Sequence, residues 1–286
     1  MIDALVEKLK KIKWIYSDID GTIIDDERRD VSPKTIEVIK KLKERGYKFG
    51  LISGRSSCLS NYELDVLQPN LPYIGCNGAQ IFDIAKKESV FFQPLDLEFV
   101  KKSIEELLKR DLSFLLYAEK KSYYYLSTTS EYSRKNLIHN MNMHFLKSKS
   151  EFEEYSSDLL EKNFSHFTVY TPDRNEFCIP ASLIKLGESY SVQTIRGPMH
   201  FFDVCSTKVD KGSGLKFVLE KEKIELENVL VFGDSYNDLP VFKIAGFPVA
   251  MKQAEYAIKK FAITETDFDN NHDGLANFIE EKLFRI

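Results

Sequence analysis

Two aspartates one residue apart, Asp18 and Asp20, close the apolar run in "KWIYSDIDGT". Neighbouring carboxylates at the end of a buried strand repel each other and resist desolvation, so the pair needs a chemical reason. Three further polar groups stand in similar settings. Ser53, Gly54 and Arg55 follow "YKFGLI"; Gly233 and Asp234, with Asn237 and Asp238 just after, follow "NVLVF"; Lys211 opens a helix in "KVDKGSGL". Singly, each is a common pattern: a DxD is often a turn, Ser-Gly is ordinary, and a lysine at a helix start is usually solvated. Together they are four polar clusters, each at a strand end or helix start, spread from residue 18 to residue 238. Their chemistry fits phosphoryl transfer. Clustered carboxylates suit Mg²⁺, which takes oxygen ligands. Thr22, Ser53 and nearby backbone N–H groups can hold a phosphate, Lys211 can neutralise charge on the transferred group, and a carboxylate can attack phosphorus.

The elements that position these groups alternate between strand and helix. "KWIYSD", "YKFGLIS", "NVLVFGD" and "FPVAM" read as strands, and the continuous apolar "NVLVF" predicts a central parallel strand covered on both faces. "SPKTIEVIKKLKERG" is a helix with Ser32 as N-cap, Pro33 in the first turn and Gly46 as terminator, its apolar face carried by Ile36, Ile39 and Leu42. "SSCLSNYELDVLQ" predicts a second helix, and a last one from about His272 turns Leu275, Phe278, Ile279 and Leu283 inward. Such alternation predicts an α/β fold with a doubly wound, Rossmann-like parallel sheet, whose ligands bind beyond the carboxyl ends of the strands.

From about residue 85 to 190 the texture changes. "DLEFVKKSIEELLKR" is an amphipathic helix, "LSFLLYAEKKSYYYLS" reads as two antiparallel strands, and "HFTVYT" and "SYSVQTIR" are further mixed segments. The tyrosine run reads as an edge strand rather than a stacking platform. The expected organisation is a catalytic core of residues 1–84 and 190–286 with an inserted α+β cap at 85–189.

The motifs "DIDGT", "SGR", "KGSGL" and "GDSYND", in that order, resemble the four motifs of the haloacid dehalogenase superfamily of phosphatases. The wide gap between the second and third resembles the type IIB cap of the Cof-like subfamily, as do "CNGAQI" and the late "HDG". The resemblance implies a Mg²⁺-dependent phosphatase that works through an aspartyl-phosphate on a small phosphorylated metabolite: a sugar phosphate, nucleotide or cofactor phosphate. It implies that Asp18 is the nucleophile and a Mg²⁺ ligand. Asp20 is implied as general acid and then base, with its backbone carbonyl also on the metal. Thr22, Ser53 and Gly54 hold the phosphate, and Lys211 orients the nucleophile and balances charge. Asp234 ligates Mg²⁺ with Asp238 in direct or water-mediated support, Asn237 reaches the phosphate or shapes its loop, and Asn77 lines the site near the cap. Lys208 stands where the family often has glycine and reads as solvated. On this reading Asp18 stays ionised to attack while Asp20 holds a proton to donate, a division that a metal on the first carboxylate promotes.

Two other readings share these residues: a phosphomutase resembling phosphomannomutase, and a non-catalytic phosphate-binding regulatory module. A receiver domain would be shorter and lacks DxDGT, and no P-loop pattern is present. The formal charge of -4 gives no overall pull toward nucleic acid. No apolar run reaches the length of a bilayer span, and the lysines from Lys8 to Lys13 read as the end of an amphipathic helix rather than a secretory leader. Cys58, Cys76, Cys178 and Cys205 form no CxxC pair, and His139, His144, His166, His200 and His272 lack metal-ligand spacing. The expectation is a cytoplasmic protein, monomer or small homo-oligomer, with reduced buried thiols.

Overall fold

Trp14–Ser17 is buried at all four positions and has a parallel neighbour on each side. Val229–Gly233 pairs with it in the register Trp14 to Val229, and Lys48–Leu51 in the register Trp14 to Lys48. Phe247–Ala250 and Thr264–Glu265 extend this five-stranded sheet beyond Val229–Gly233, every pair parallel. The registers put Ser17 beside both Phe232 and Leu51. Asp18, Ser53 and Asp234 therefore leave the sheet at one edge, as the strand-end rule requires. This is the α/β fold expected from the alternating pattern.

The computed structural model describes residues 2–27, 29–148, 152–171, 180–196 and 201–286. Its contacts divide the chain into two units. One comprises Met1–Arg55, Glu63–Phe91 and Val209–Ile286; the other comprises Ser56–Tyr62 and Phe92–Lys208. These bounds differ from the expected 84/85 and 189/190. Phe201–Ser206 pairs antiparallel with both Phe164–Tyr170 and Val192–Arg196, so the second unit runs on to residue 208. Ser56–Tyr62 joins it because Leu59 packs with Leu115, Tyr117, Leu137 and Tyr170.

In the first unit, Pro33–Glu44 begins at Ser32, whose side chain accepts from the Thr35 N–H, and ends before Gly46 in the left-handed region. Thr35, Val38, Ile39 and Leu42 form its buried face, with Ile36 at the margin. Leu275, Phe278, Ile279 and Leu283 are all buried, as their spacing predicts.

The second unit is built on a six-stranded sheet, in the order Phe152–Glu154, Ser122–Tyr125, Phe114–Ala118, Phe164–Tyr170, Phe201–Ser206, Val192–Arg196. One face packs its apolar residues against Leu97–Lys109 and Ala181–Ser189 through Phe99, Ile104, Phe167 and Leu183. The tyrosine strand is not the edge: Phe152–Glu154, too short to announce itself in sequence, pairs parallel along it. Cys76 and Cys205 are buried and Cys58 is half-buried, while Cys178 and His200 lie outside the described residues. Among the described residues no helix is long and apolar enough to cross a membrane.

The other face of this sheet carries Asp203, whose carboxylate accepts from the Thr168 hydroxyl. Burial pushes its pKa up to about 6, and the Thr168 hydrogen bond offsets only part of that. A carboxyl raised in the fold stabilises it fully at acidic pH and loses that contribution as pH rises through about 6. Asp203→Asn should therefore be more stable than wild type at pH 7–8 by about 3 kcal/mol. The gain should vanish toward pH 4, below which both side chains are neutral, as denaturant midpoints across pH would show.

Candidate active site

Lys211 is the centre of the charged cluster. Asp210 caps its helix by accepting from the Ser213 N–H at 2.7 Å, while the Ser213 hydroxyl accepts from the Asp210 N–H at 2.8 Å. That reciprocal cap fixes Lys211 as the first helical residue. Its ammonium, fully buried, donates to Asp18 Oδ1 at 2.7 Å and to Asp238 Oδ1 at 2.6 Å. Burial works against its charge, but Asp18 and Asp238 more than offset this and hold its pKa well above the usual lysine range.

Asp18, Asp234 and Asp238 each present a carboxylate oxygen within 4.8 Å of the others. Burial raises the pKa of Asp18, Lys211 opposes the rise, and Asp238 and Asp20 add to it. Asp234 is raised in the same way, by burial first and then by Asp18 and Asp238. Three carboxylates drawn together against their own repulsion form a hard-oxygen donor set that fits a divalent cation such as Mg²⁺. Their engagement differs. Asp238 is used on both oxygens, Oδ1 by Lys211 and Oδ2 by the N–H groups of Asp234 and Ser235 at 3.0 and 3.1 Å. Asp234 Oδ1 accepts from the Thr22 hydroxyl at 3.1 Å. Asp18 and Asp234 thus retain more ligating capacity, and Asp238 is a brace that holds Lys211 and the Asp234 loop.

Two glycines permit this crowding. Gly21 lies in the left-handed region at φ 72°, and a Cβ there would stand 2.5 Å from Asp234 Oδ2. A Cβ at Gly233 would meet the Asp238 carboxylate at 2.6 Å.

The other expected residues gather beside the cluster. Ser53 is buried, and its oxygen accepts from the Arg55 N–H at 3.2 Å, which leaves its proton to donate. Asn77, itself left-handed at φ 51°, packs its amide against Gly54 and accepts from Asn237 Nδ2 at 3.1 Å. Asn237 Oδ1 takes the Ser235 hydroxyl at 2.8 Å, so both ends of this amide serve the loop. Lys208 is exposed. The carboxylate of Asp20 stands outside the three-carboxylate group and is held instead by Arg55: Nε donates to Oδ2 at 2.8 Å, and the terminal nitrogen to Oδ1. Arg55 in turn donates to buried Glu63 at 3.1 Å. Neither Arg55 nor Glu63 was expected in the site, although Arg55 stands in the SGR motif and carries the charge opposite to Asp20.

A sequence profile of the haloacid dehalogenase-like hydrolases matches residues 15–279. The chain is 27% identical over 282 residues to a Mycoplasma genitalium protein named "Putative phosphatase MG265", with 96% of this chain and 99% of that one covered. It is 24% identical to the 5-amino-6-(5-phospho-D-ribitylamino)uracil phosphatase YitU of Bacillus subtilis, with coverage of 93% and 96%. Among solved structures, the sugar phosphatase BT4131 of subclass IIB superimposes with a TM-score of 0.76 at 22% identity, covering 94% of this chain and 98% of that one. With motifs, fold and profile in agreement over nearly its whole length, this chain belongs to the haloacid dehalogenase-like hydrolase family and is one of its Cof-like phosphatases.

Proposed function

We propose that the chain is a Mg²⁺-dependent phosphatase that hydrolyses a small phosphorylated metabolite through an aspartyl-phosphate on Asp18. The observation that carries this reading is the Lys211 ammonium 2.7 Å from Asp18 Oδ1, beside the grouped carboxylates of Asp234 and Asp238. In the first half-reaction an Asp18 oxygen attacks phosphorus as the bond to the leaving oxygen breaks, and Asp20 gives that oxygen its proton. In the second, water attacks the same phosphorus, its proton passes to Asp20, and the bond to Asp18 breaks. Both residues end as they began. Lys211 keeps Asp18 ionised and oriented, while Ser53 and backbone N–H groups can bind the phosphoryl oxygens. Asp18 and Asp234, with the Asp20 carbonyl, would hold Mg²⁺, which when bound neutralises charge on the phosphoryl group and on the carboxylates. YitU and BT4131, a ribityl-phosphate and a sugar phosphatase by name, support a small phosphorylated metabolite as substrate.

A panel of phosphorylated metabolites should identify esters from which the protein releases inorganic phosphate with Mg²⁺ and not with EDTA. Formation of an isomeric sugar phosphate without free phosphate would replace hydrolysis by internal transfer. Binding has a readout apart from turnover: at about 100 times its Kd, Mg²⁺ should stabilise the fold by about 2.7 kcal/mol. Asp234→Asn should lose most of that gain. Equal melting curves with and without the ion would remove the metal from this reading.

A further inference from the structure

The ion pair of Arg55 and Asp20 is costly for what it returns in stability. Asp20 is 54% exposed, and pairs open to water contribute little to folding. Behind the guanidinium, however, Glu63 is 1% exposed. One of its oxygens takes Arg55, and the other is buried with no hydrogen-bond partner among the described residues. An orphaned carboxylate oxygen costs more than an exposed ion pair recovers. Such an arrangement calls for a reason other than stability.

That reason lies in what the arrangement fixes. The Arg55 backbone is pinned on both sides: its N–H donates to Ser53 Oγ, and its carbonyl accepts from the Cys76 N–H at 2.9 Å and the Tyr73 hydroxyl at 2.7 Å. Glu63 holds one edge of the planar guanidinium, and the opposite edge meets both oxygens of Asp20 as a fork. Held on both oxygens, this half-exposed carboxyl is restrained from rotating about its side-chain bonds. Each carboxylate oxygen has two lone pairs, and the fork takes one on each, so Arg55 by itself does not exhaust the carboxylate.

We propose that Arg55 is a positioning residue for Asp20 and that Glu63 is the buried anchor that aims it. Together they present one fixed edge of the Asp20 carboxyl to the leaving oxygen and then to the entering water. This rests on Asp20 being the general acid and base.

The test compares kcat/KM for a sugar phosphate, whose alkoxide must be protonated as it leaves, with that for p-nitrophenyl phosphate, whose leaving group needs little help. Arg55→Ala should lower the first about 100-fold and the second by no more than about threefold. In an Asp20→Asn background the same substitution should cost less than about threefold more, because its route of action is gone. Glu63→Gln should show a smaller loss with the same selectivity between esters. Arg55→Lys keeps a charge beside Glu63 and protects the fold, but it lacks the fork. It should reproduce the selective loss, and it carries the test if Arg55→Ala does not fold. Equal losses on both esters, or a full additional loss in the Asp20→Asn background, would overturn the positioning role while leaving the proposed reaction standing. Undiminished alkyl-phosphate turnover by Asp20→Asn alone would overturn both.

Discussion

Asp18→Asn is expected to lose at least about 10⁴-fold in kcat, the scale on which removal of a covalent nucleophile acts. The substitution preserves shape, and the amide oxygen can still accept from Lys211, but a neutral amide does not attack phosphorus. Folding should not suffer. Burial and the neighbouring Asp238 and Asp20 already make the Asp18 charge costly, against which Lys211 gives partial relief. Replacing that charge with an amide eases the crowding among Asp18, Asp234 and Asp238. The denaturation midpoint in EDTA should therefore stay level or rise, and the stabilisation by Mg²⁺ should shrink. Loss of activity without loss of stability separates a chemical role from a structural one. Turnover near the wild-type rate would remove Asp18 from the reaction.

Lys211→Met is expected to damage both activity and folding. The side chain is fully buried between two carboxylates at 2.7 and 2.6 Å. Methionine keeps the stem but leaves Asp18 and Asp238 without their shared cation. Removal of one partner from a buried ion pair costs about 3–5 kcal/mol, because the remaining charge is stranded. Loss of the ammonium beside the transferred group should also lower kcat by about 10²–10³-fold, the scale for a preorganised electrostatic contact. Adding Asp238→Asn should recover part of the stability and none of the activity, since the stranded charge and the missing catalytic charge are different defects. Urea titrations of both variants in EDTA would check the first point and initial rates the second. A Lys211→Met protein as stable as wild type would mean that the buried carboxylates do not depend on this lysine.

Much of this site was legible because a parallel sheet obeys a strong rule. Once "WIYS" and "VLVFG" are recognised as covered strands, their registers carry Asp18 and Asp234 to the same edge although 215 residues lie between them. The helix at Lys211 was legible for a local reason, since "DKGS" contains its own cap. What escaped reading depends on contacts with no local trace. Glu63 lies eight positions from Arg55, and the seven intervening residues belong to the other unit, so no helical or strand spacing links the two. Phe201–Ser206 was placed with the core by position alone; its antiparallel pairing with Phe164–Tyr170, which no local pattern announces, assigns it to the second unit. The tyrosine strand was misjudged as an edge because its cover, Phe152–Glu154, is three residues long. Asn237 bonds Ser235 and Asn77, and the second of these contacts, 160 positions away, has no local trace either.

The central claim is that a phosphoryl group passes through Asp18. Acid quenching during turnover, followed by mass spectrometry of the peptide spanning Trp14–Asp25, observes that event directly. The account requires a fraction of this peptide to carry one added phosphoryl group on Asp18, dependent on substrate and absent from the Asp18→Asn protein. Rapid phosphate release with the peptide unmodified at every quench time, or with the label on another residue, would contradict it.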